Sequence, residues 1–173
     1  MVIKIIGSAI VFVSCTLAGF FIASEGKYRA EDLLEMKRGL LLLKSDICYN
    51  SRPLYEALID ISQKVDNTVS EIFEDSGRLL KSRKVSSASE AWESTIKNRK
   101  SRTFYKKDDI DVFISFGKVL GGEDKDCQTA NIDMAINYID SKSEELMKKN
   151  SKDSKLLKSA GVLCGILIVA VLF

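Results

Sequence analysis

The chain contains no histidine. Imidazole is the usual proton carrier near neutral pH and the commonest nitrogen ligand for metals, so its absence removes Ser-His-Asp triads and most zinc sites. Proline occurs once, at Pro53, and glycine ten times in 173 residues. No run alternates apolar and polar residues for long enough to suggest a strand, which leaves an all-α fold as the expectation. Of four cysteines, Cys15 and Cys164 lie within apolar ends, which leaves only the widely spaced Cys48 and Cys127 in the middle, a poor disulfide framework. A reducing compartment is the simpler setting. Scattered carboxylates single out no acid–base pair, so neither an enzyme nor a cofactor is expected.

The apolar ends set the organisation. Ile5 to Ser24 carries no charge and as a helix reaches about 30 Å, the thickness of a hydrocarbon core. "MVIK" before an apolar run also resembles a signal peptide, but the run exceeds the usual signal core and "FVSC" is a poor lipoprotein motif. An uncleaved anchor over residues 1–24 is the reading adopted. At the other end, Ala160 to Phe173 is uninterrupted and reaches roughly 21 Å, so residues 156–173 cross only with help from Leu156 and Leu157 or snorkelling by Lys158. Only Lys4 precedes the first span, whereas Lys27, Arg29, Lys37 and Arg38 follow it. Lys148, Lys149, Lys152, Lys155 and Lys158 precede the tail. Both flanks place residues 25–155 on the cytoplasmic side. With Lys4 and Lys158 set aside, the basic and acidic residues of the middle balance, which gives no general attraction to nucleic acid.

About six helices are expected in the middle. Leu33, Leu34, Met36, Leu40, Leu41, Leu43 and Ile47 recur at spacings of mostly three and four, one apolar helix face continuing from the first span with a bend near Gly26. Pro53 suits the first turn of a second helix, with Leu54, Leu58, Ile61 and Val65 inward. A third covers Thr68 to Lys84. A fourth opens with Ser87 three residues before Glu90, the spacing of a capping box. The only tryptophan, Trp92, falls on its inner face and reads as a core anchor. A fifth starts at Asp108 or Asp109 and stops at Gly121-Gly122, and the last begins near Asp124.

Two stretches invite a chemical reading. "FGKVLGGEDKDCQ", residues 116 to 128, lacks the Gly-Lys-Ser/Thr order and preceding strand of a phosphate loop. As a calcium hand it fails too, with no central glycine and Ala135 where the closing glutamate belongs. A helix corner fits it: a glycine ends one helix in the left-handed conformation and Asp124 caps the next. "KNRKSRTFYKK" concentrates Lys97, Arg99, Lys100, Arg102, Lys106 and Lys107 without an acid. It can meet an acidic protein, anionic headgroups or, with Phe104 and Tyr105 stacking, nucleic acid, or it can be a solvated connection. A domain already tethered to a membrane favours a protein or lipid surface.

The apolar ends, "DICYNSRPLYEAL", the Ala91-Trp92 pair, "FGKVLGGEDKDCQ" and "KSAGVLCGILIV" together resemble the stage III sporulation protein AB family of endospore-forming bacteria. Pro-Leu-x-Glu-Ala-Leu at Pro53 to Leu58 and Phe-Gly-x-x-Leu-Gly at Phe116 to Gly121 carry most of the likeness. The resemblance implies an all-α bundle in the assembly that links mother cell and forespore, in the outer forespore membrane and facing the mother-cell cytoplasm. It also implies likeness to the cytoplasmic domains of type II secretion and type IV pilus platform proteins. A partner ATPase, sporulation protein AA, is implied alongside other channel-complex membrane proteins. The function expected is a membrane-anchored adaptor; the alternative is an anionic-lipid-binding protein. Contact candidates are the exposed acids near helix starts, Glu56, Asp108, Asp109, Glu123 and Asp124, and the basic connection from Lys97 to Lys107.

Overall fold

A computed structural model describes the backbone of residues 2–50, 52–122 and 124–172, and the side chains of Ser14, Leu17 and residues 24–148 apart from Ser51 and Glu123. The expected spans at residues 1–24 and 156–173 therefore lie almost wholly outside the described side chains. Among the described residues no helix is long and apolar enough to cross a membrane. The chain divides into two compact units, one of Met1–Tyr28 with Glu144–Phe173 and the other of Arg29–Ser143.

All described secondary structure is helical: α1 (Val2–Tyr49), α2 (Leu54–Ser62), α3 (Asn67–Lys81), α4 (Ala88–Arg99), α5 (Lys107–Gly117) and α6 (Lys125–Leu172), with a short 3-10 turn at Lys100–Arg102 after α4. Within Arg29–Ser143, α2 packs on α3, α3 on α4 and α4 on α5. Lys37 Nζ meets Asp140 Oδ1 at 2.5 Å and Lys44 Nζ meets Asp133 Oδ2 at 2.6 Å. Two turns forward on α1 correspond to two turns backward on α6, so these segments run antiparallel.

The core follows from the sequence periodicity. Leu33, Met36, Leu40 and Leu43 of α1, Leu58 and Ile61 of α2, Ile72 and Phe73 of α3, Phe113 and Phe116 of α5, and Ile132 and Ile139 of α6 are buried. Trp92 lies at their centre with no exposure. Its ring stands edge-on to Phe73 at 5.3 Å and to Phe116 at 5.4 Å, and its indole N–H donates to the Phe113 carbonyl at 2.9 Å. Aromatic edges thus supply packing while the one polar atom is satisfied.

Several boundaries differ from expectation for local reasons. α1 passes Gly26 without a break. Leu34 and Leu41, expected inward, are 43 % and 48 % exposed, because the core takes only the side of α1 carrying Leu33, Met36, Leu40 and Leu43. Pro53 stands one residue ahead of α2 with extended backbone, φ −57° and ψ 137°, and its carbonyl accepts the N–H groups of Glu56 and Ala57. α5 ends at Gly117 instead of Gly121, since the N–H groups of residues 118–120 tighten into turns bonded to the Ser115, Phe116 and Gly117 carbonyls. Ser87 Oγ accepts the Glu90 N–H at 3.1 Å, but the Glu90 carboxylate reaches back to the Ser86 N–H, one residue beyond the expected partner.

Candidate functional site

The two motifs most specific in the sequence meet in space. A cavity of about 340 Å³ is lined by Leu43, Asp46, Ile47 and Asn50 from the end of α1, Arg52, Leu54 and Ala57 from the start of α2, and Gly121, Gly122, Lys125 and Gln128 at the start of α6.

Its wall is built by local chemistry. Gly121 has φ +80°, the left-handed turn expected after the preceding helix. A Cβ there would stand 2.9 Å from the Ala88 Cβ and 3.6 Å from Leu54, so the turn packs directly against α4 and α2. Gln128, almost fully buried, accepts the Gly121 N–H at 3.3 Å and donates to the Gly122 carbonyl at 2.7 Å. Asp124 caps α6 as expected, its Oδ1 accepting the N–H groups of Asp126 at 2.9 Å and Cys127 at 3.1 Å. The glycines and carboxylates of "GGEDKDC" thus serve a corner, and that corner is one side of the cavity.

The opposite side carries an ion cluster invisible to sequence spacing. Arg52 Nη2 binds both Asp46 and Asp60, and Asp60 also accepts Lys64 at 2.7 Å. Burial works against the Asp46 charge, but hydrogen bonds from Arg52 and Asn50 outweigh it and hold its carboxyl below the usual range. Lys64 and Arg52 do the same for Asp60. Arg52 Nε is buried without an acceptor. Among the described residues no group of three or more acidic or cysteine side chains is placed to hold a metal.

The expected contact residues scatter. Glu56 is exposed on α2, its Oε1 accepting the Tyr55 hydroxyl at 2.9 Å, between Leu54 and Ala57 of the cavity. Asp124 adjoins the cavity at Lys125, and Glu123 lies outside the described residues. Asp108 is exposed at the start of α5.

Asp109 corrects its expectation of exposure. It is fully buried, accepting Arg29 Nε at 2.8 Å and Nη2 at 2.9 Å, the Tyr138 hydroxyl at 2.7 Å and the Lys106 N–H at 2.7 Å. It caps α5 and ties it to α1 and α6 at once, so it has no face to offer a partner. Burial opposes the Arg29 charge, yet Asp109 more than offsets it and raises the guanidinium pKa. Burial and the same carboxylate push the Tyr138 hydroxyl well up.

The basic connection is partly consumed inside the bundle. Arg99 donates through Nε and Nη2 to Asp75 at 2.8 and 2.6 Å and also binds Glu71. Arg102 reaches Glu71 at 3.1 Å, and Lys97 pairs with Glu93 at 2.5 Å one turn earlier. Lys100, Lys106 and Lys107 are exposed. Tyr105, one of the two aromatics placed for stacking, is buried and donates its hydroxyl to the Asp32 carbonyl at 3.0 Å.

A family model described as stage III sporulation protein AB matches residues 4–173. The chain belongs to the stage III sporulation protein AB family. It is 27 % identical over 170 residues to stage III sporulation protein AB of Bacillus subtilis (strain 168), covering 98 % of this chain and 99 % of that relative. A solved structure of a stage III sporulation protein AB superposes with a TM-score of 0.66 at 24 % identity, over 71 % of this chain and 96 % of the other. The family places the chain in sporulation, and the solved structure shares its helical fold. The family is one of sporulation proteins.

Proposed function

We propose that this chain is a membrane-anchored helical adaptor of the assembly linking mother cell and forespore. Residues 1–24 and 156–173 are its anchors in the outer forespore membrane. Residues 25–155 face the mother-cell cytoplasm and dock a soluble ATPase, the companion sporulation protein AA, beside other membrane proteins of the channel complex. Such an anchor raises the effective concentration of the ATPase at the membrane, and a packed bundle gives it a firm surface to work against.

One observation carries the reading. Motifs more than sixty residues apart by sequence number converge on a solvent-open cavity whose polar walls are pinned by internal hydrogen bonds. This arrangement presents contact surface in place of reacting groups: Asp46, the carboxylate among the cavity's lining residues, is held by Arg52 and Asn50, and Asp124 beside the cavity by helix N–H groups. Pre-set side chains lower the ordering cost of docking.

Co-sedimentation of purified ATPase with liposomes carrying the full chain tests it. Retention is expected with the wild type and loss when Glu56, Glu123 and Asp124 are all changed to Lys. ATPase left in the supernatant by the wild-type chain would refute the adaptor reading.

A further inference from the structure

We propose that the cavity between the α1 end, the α2 start and the α6 start receives a short segment of a partner protein, inserting one apolar side chain and setting a neighbouring carboxylate on Lys125. This rests on the adaptor reading and adds the partner's chemistry to it.

Asp46, Arg52 and Asp60 lie in one hydrogen-bonded cluster, which already has Lys64 as its second cation. Arg52 therefore has its guanidinium shared between two carboxylates, and a phosphate would have to displace them. Lys125 is different: it lines the cavity, is exposed, and no ion pair to it is present among the described residues. Asp124, its neighbour, has turned its Oδ1 toward the Asp126 and Cys127 N–H groups. The cavity thus offers one unspent positive charge at its rim, which suits one carboxylate and not a polyanion.

Shape and polarity narrow the occupant further. The floor is apolar, made by Leu43, Ile47, Leu54 and Ala57. A volume of 340 Å³ is near the lower limit for ligand pockets, roughly 300–1,000 Å³. That holds a side chain and some backbone, not a whole helix face. The wall on the glycine side is fixed, because Gln128 holds the backbone of both Gly121 and Gly122. The apolar lining and the single rim cation together describe a Leu-Glu-like step of polypeptide.

Methyl resonances of Ile47, Leu54 and Ala57, followed in the full chain in phosphatidylcholine nanodiscs, test this with the peptide acetyl-Ala-Leu-Glu-Ala-amide. Saturable shifts at those methyls are expected. Affinity should fall about fivefold in Lys125→Glu, the scale of one exposed ion pair, and should be retained in Lys125→Arg. Asn50→Trp, which covers the mouth from an exposed position, should abolish the shifts. The control peptide with Lys in place of Glu should bind about fivefold more weakly. No shifts at the three methyls, equal affinity for both peptides, or shifts produced equally by phosphatidylglycerol alone would overturn the proposal. ATPase binding is measured in parallel with the same variants. If the peptide shifts the methyls while Lys125→Glu keeps the ATPase at wild-type level, the pocket chemistry stands and its occupant is a partner other than the ATPase; if the wild-type chain leaves the ATPase unbound while the peptide shifts the methyls, the adaptor reading falls and the pocket chemistry stands.

Discussion

Arg29 and Asp109, eighty residues apart in sequence, form a buried two-pronged ion pair with N···O distances of 2.8 and 2.9 Å. Tyr138 adds a third donor to the same carboxylate at 2.7 Å. The start of the Arg29–Ser143 unit, the N-terminus of α5 and the first third of α6 are therefore joined at one carboxylate. Taking both charges out of water is costly, and removing one partner leaves the other unpaired. Asp109→Asn should lower unfolding free energy by about 3–5 kcal/mol, measured by urea unfolding with Trp92 emission as the signal. Arg29→Met with Asp109→Leu should recover much of that loss, since no buried charge then remains.

Gly117 makes room for Trp92. A Cβ on Gly117 would stand 2.4 Å from the indole Cδ1, inside any tolerable contact. The ring is held from three sides by Phe73, Phe116 and the Phe113 carbonyl and has no free direction in which to retreat. Gly117→Ala should cost on the order of 1–3 kcal/mol by overpacking, although alanine is the better helix former. Because Trp92 is the sole tryptophan, its emission should shift to longer wavelength in this variant. An unchanged spectrum and midpoint would show that the ring does not limit this position.

Asp46 and Asp32 should respond to pH with opposite signs. Asp46 has its folded pKa held below the ordinary 3.8, since Arg52 and Asn50 overcome the effect of burial. Its stabilising contribution is present above that ordinary value and disappears as pH falls through the folded pKa. Asp32 has its pKa raised above 3.8, because burial outweighs the hydrogen bond from the Phe104 N–H. Its charged form is a penalty, absent below the ordinary value and fully present above the folded pKa. Asp46→Asn should therefore be most damaging at neutral pH, with the gap to wild type closing in acid. Asp32→Asn keeps an oxygen for Phe104 and should gain on the wild type as pH rises. Melting temperatures of the two variants and wild type from about pH 3 to about pH 7 decide both.

What is legible in the sequence is what depends on neighbours along the chain. Six helices follow from apolar spacing, the Asp124 cap and the glycine turn follow from residue type and order, and Trp92 follows from its inward position. Asp109 is the instructive failure. A carboxylate at a helix start is ordinarily solvated, and nothing between residues 29 and 109 announces that an arginine from α1 will cover it. Leu34 and Leu41 fail for a related reason: periodicity identifies an apolar face but not how wide a side the neighbours cover. The candidate site is half legible. Its two motifs stand out as words in the sequence, whereas Arg52, Asp46 and Lys125 acquire meaning only when α1, α2 and α6 meet.

The basic connection separates structure from contact at the level of single cations. Arg99 is half-buried and holds Asp75 and Glu71 of α3 against the end of α4. The Asp75 carboxylate it donates to, aided by Glu71, outweighs burial and raises its pKa. Arg99→Ala should reduce stability by about 1 kcal/mol and leave membrane binding unchanged. Lys100 and Lys107 are exposed, so Lys100→Glu with Lys107→Glu should leave the melting temperature within about a degree. If the lipid reading is the true one, the double variant must weaken binding of the headgroup-facing surface. It should then fail to perturb phosphatidylglycerol headgroup signals that the wild type perturbs at low salt, while Arg99→Ala still perturbs them. Equal headgroup signals from the wild type and the double variant, with ATPase retention intact, would leave the connection as solvated chain and the adaptor as the role of the molecule.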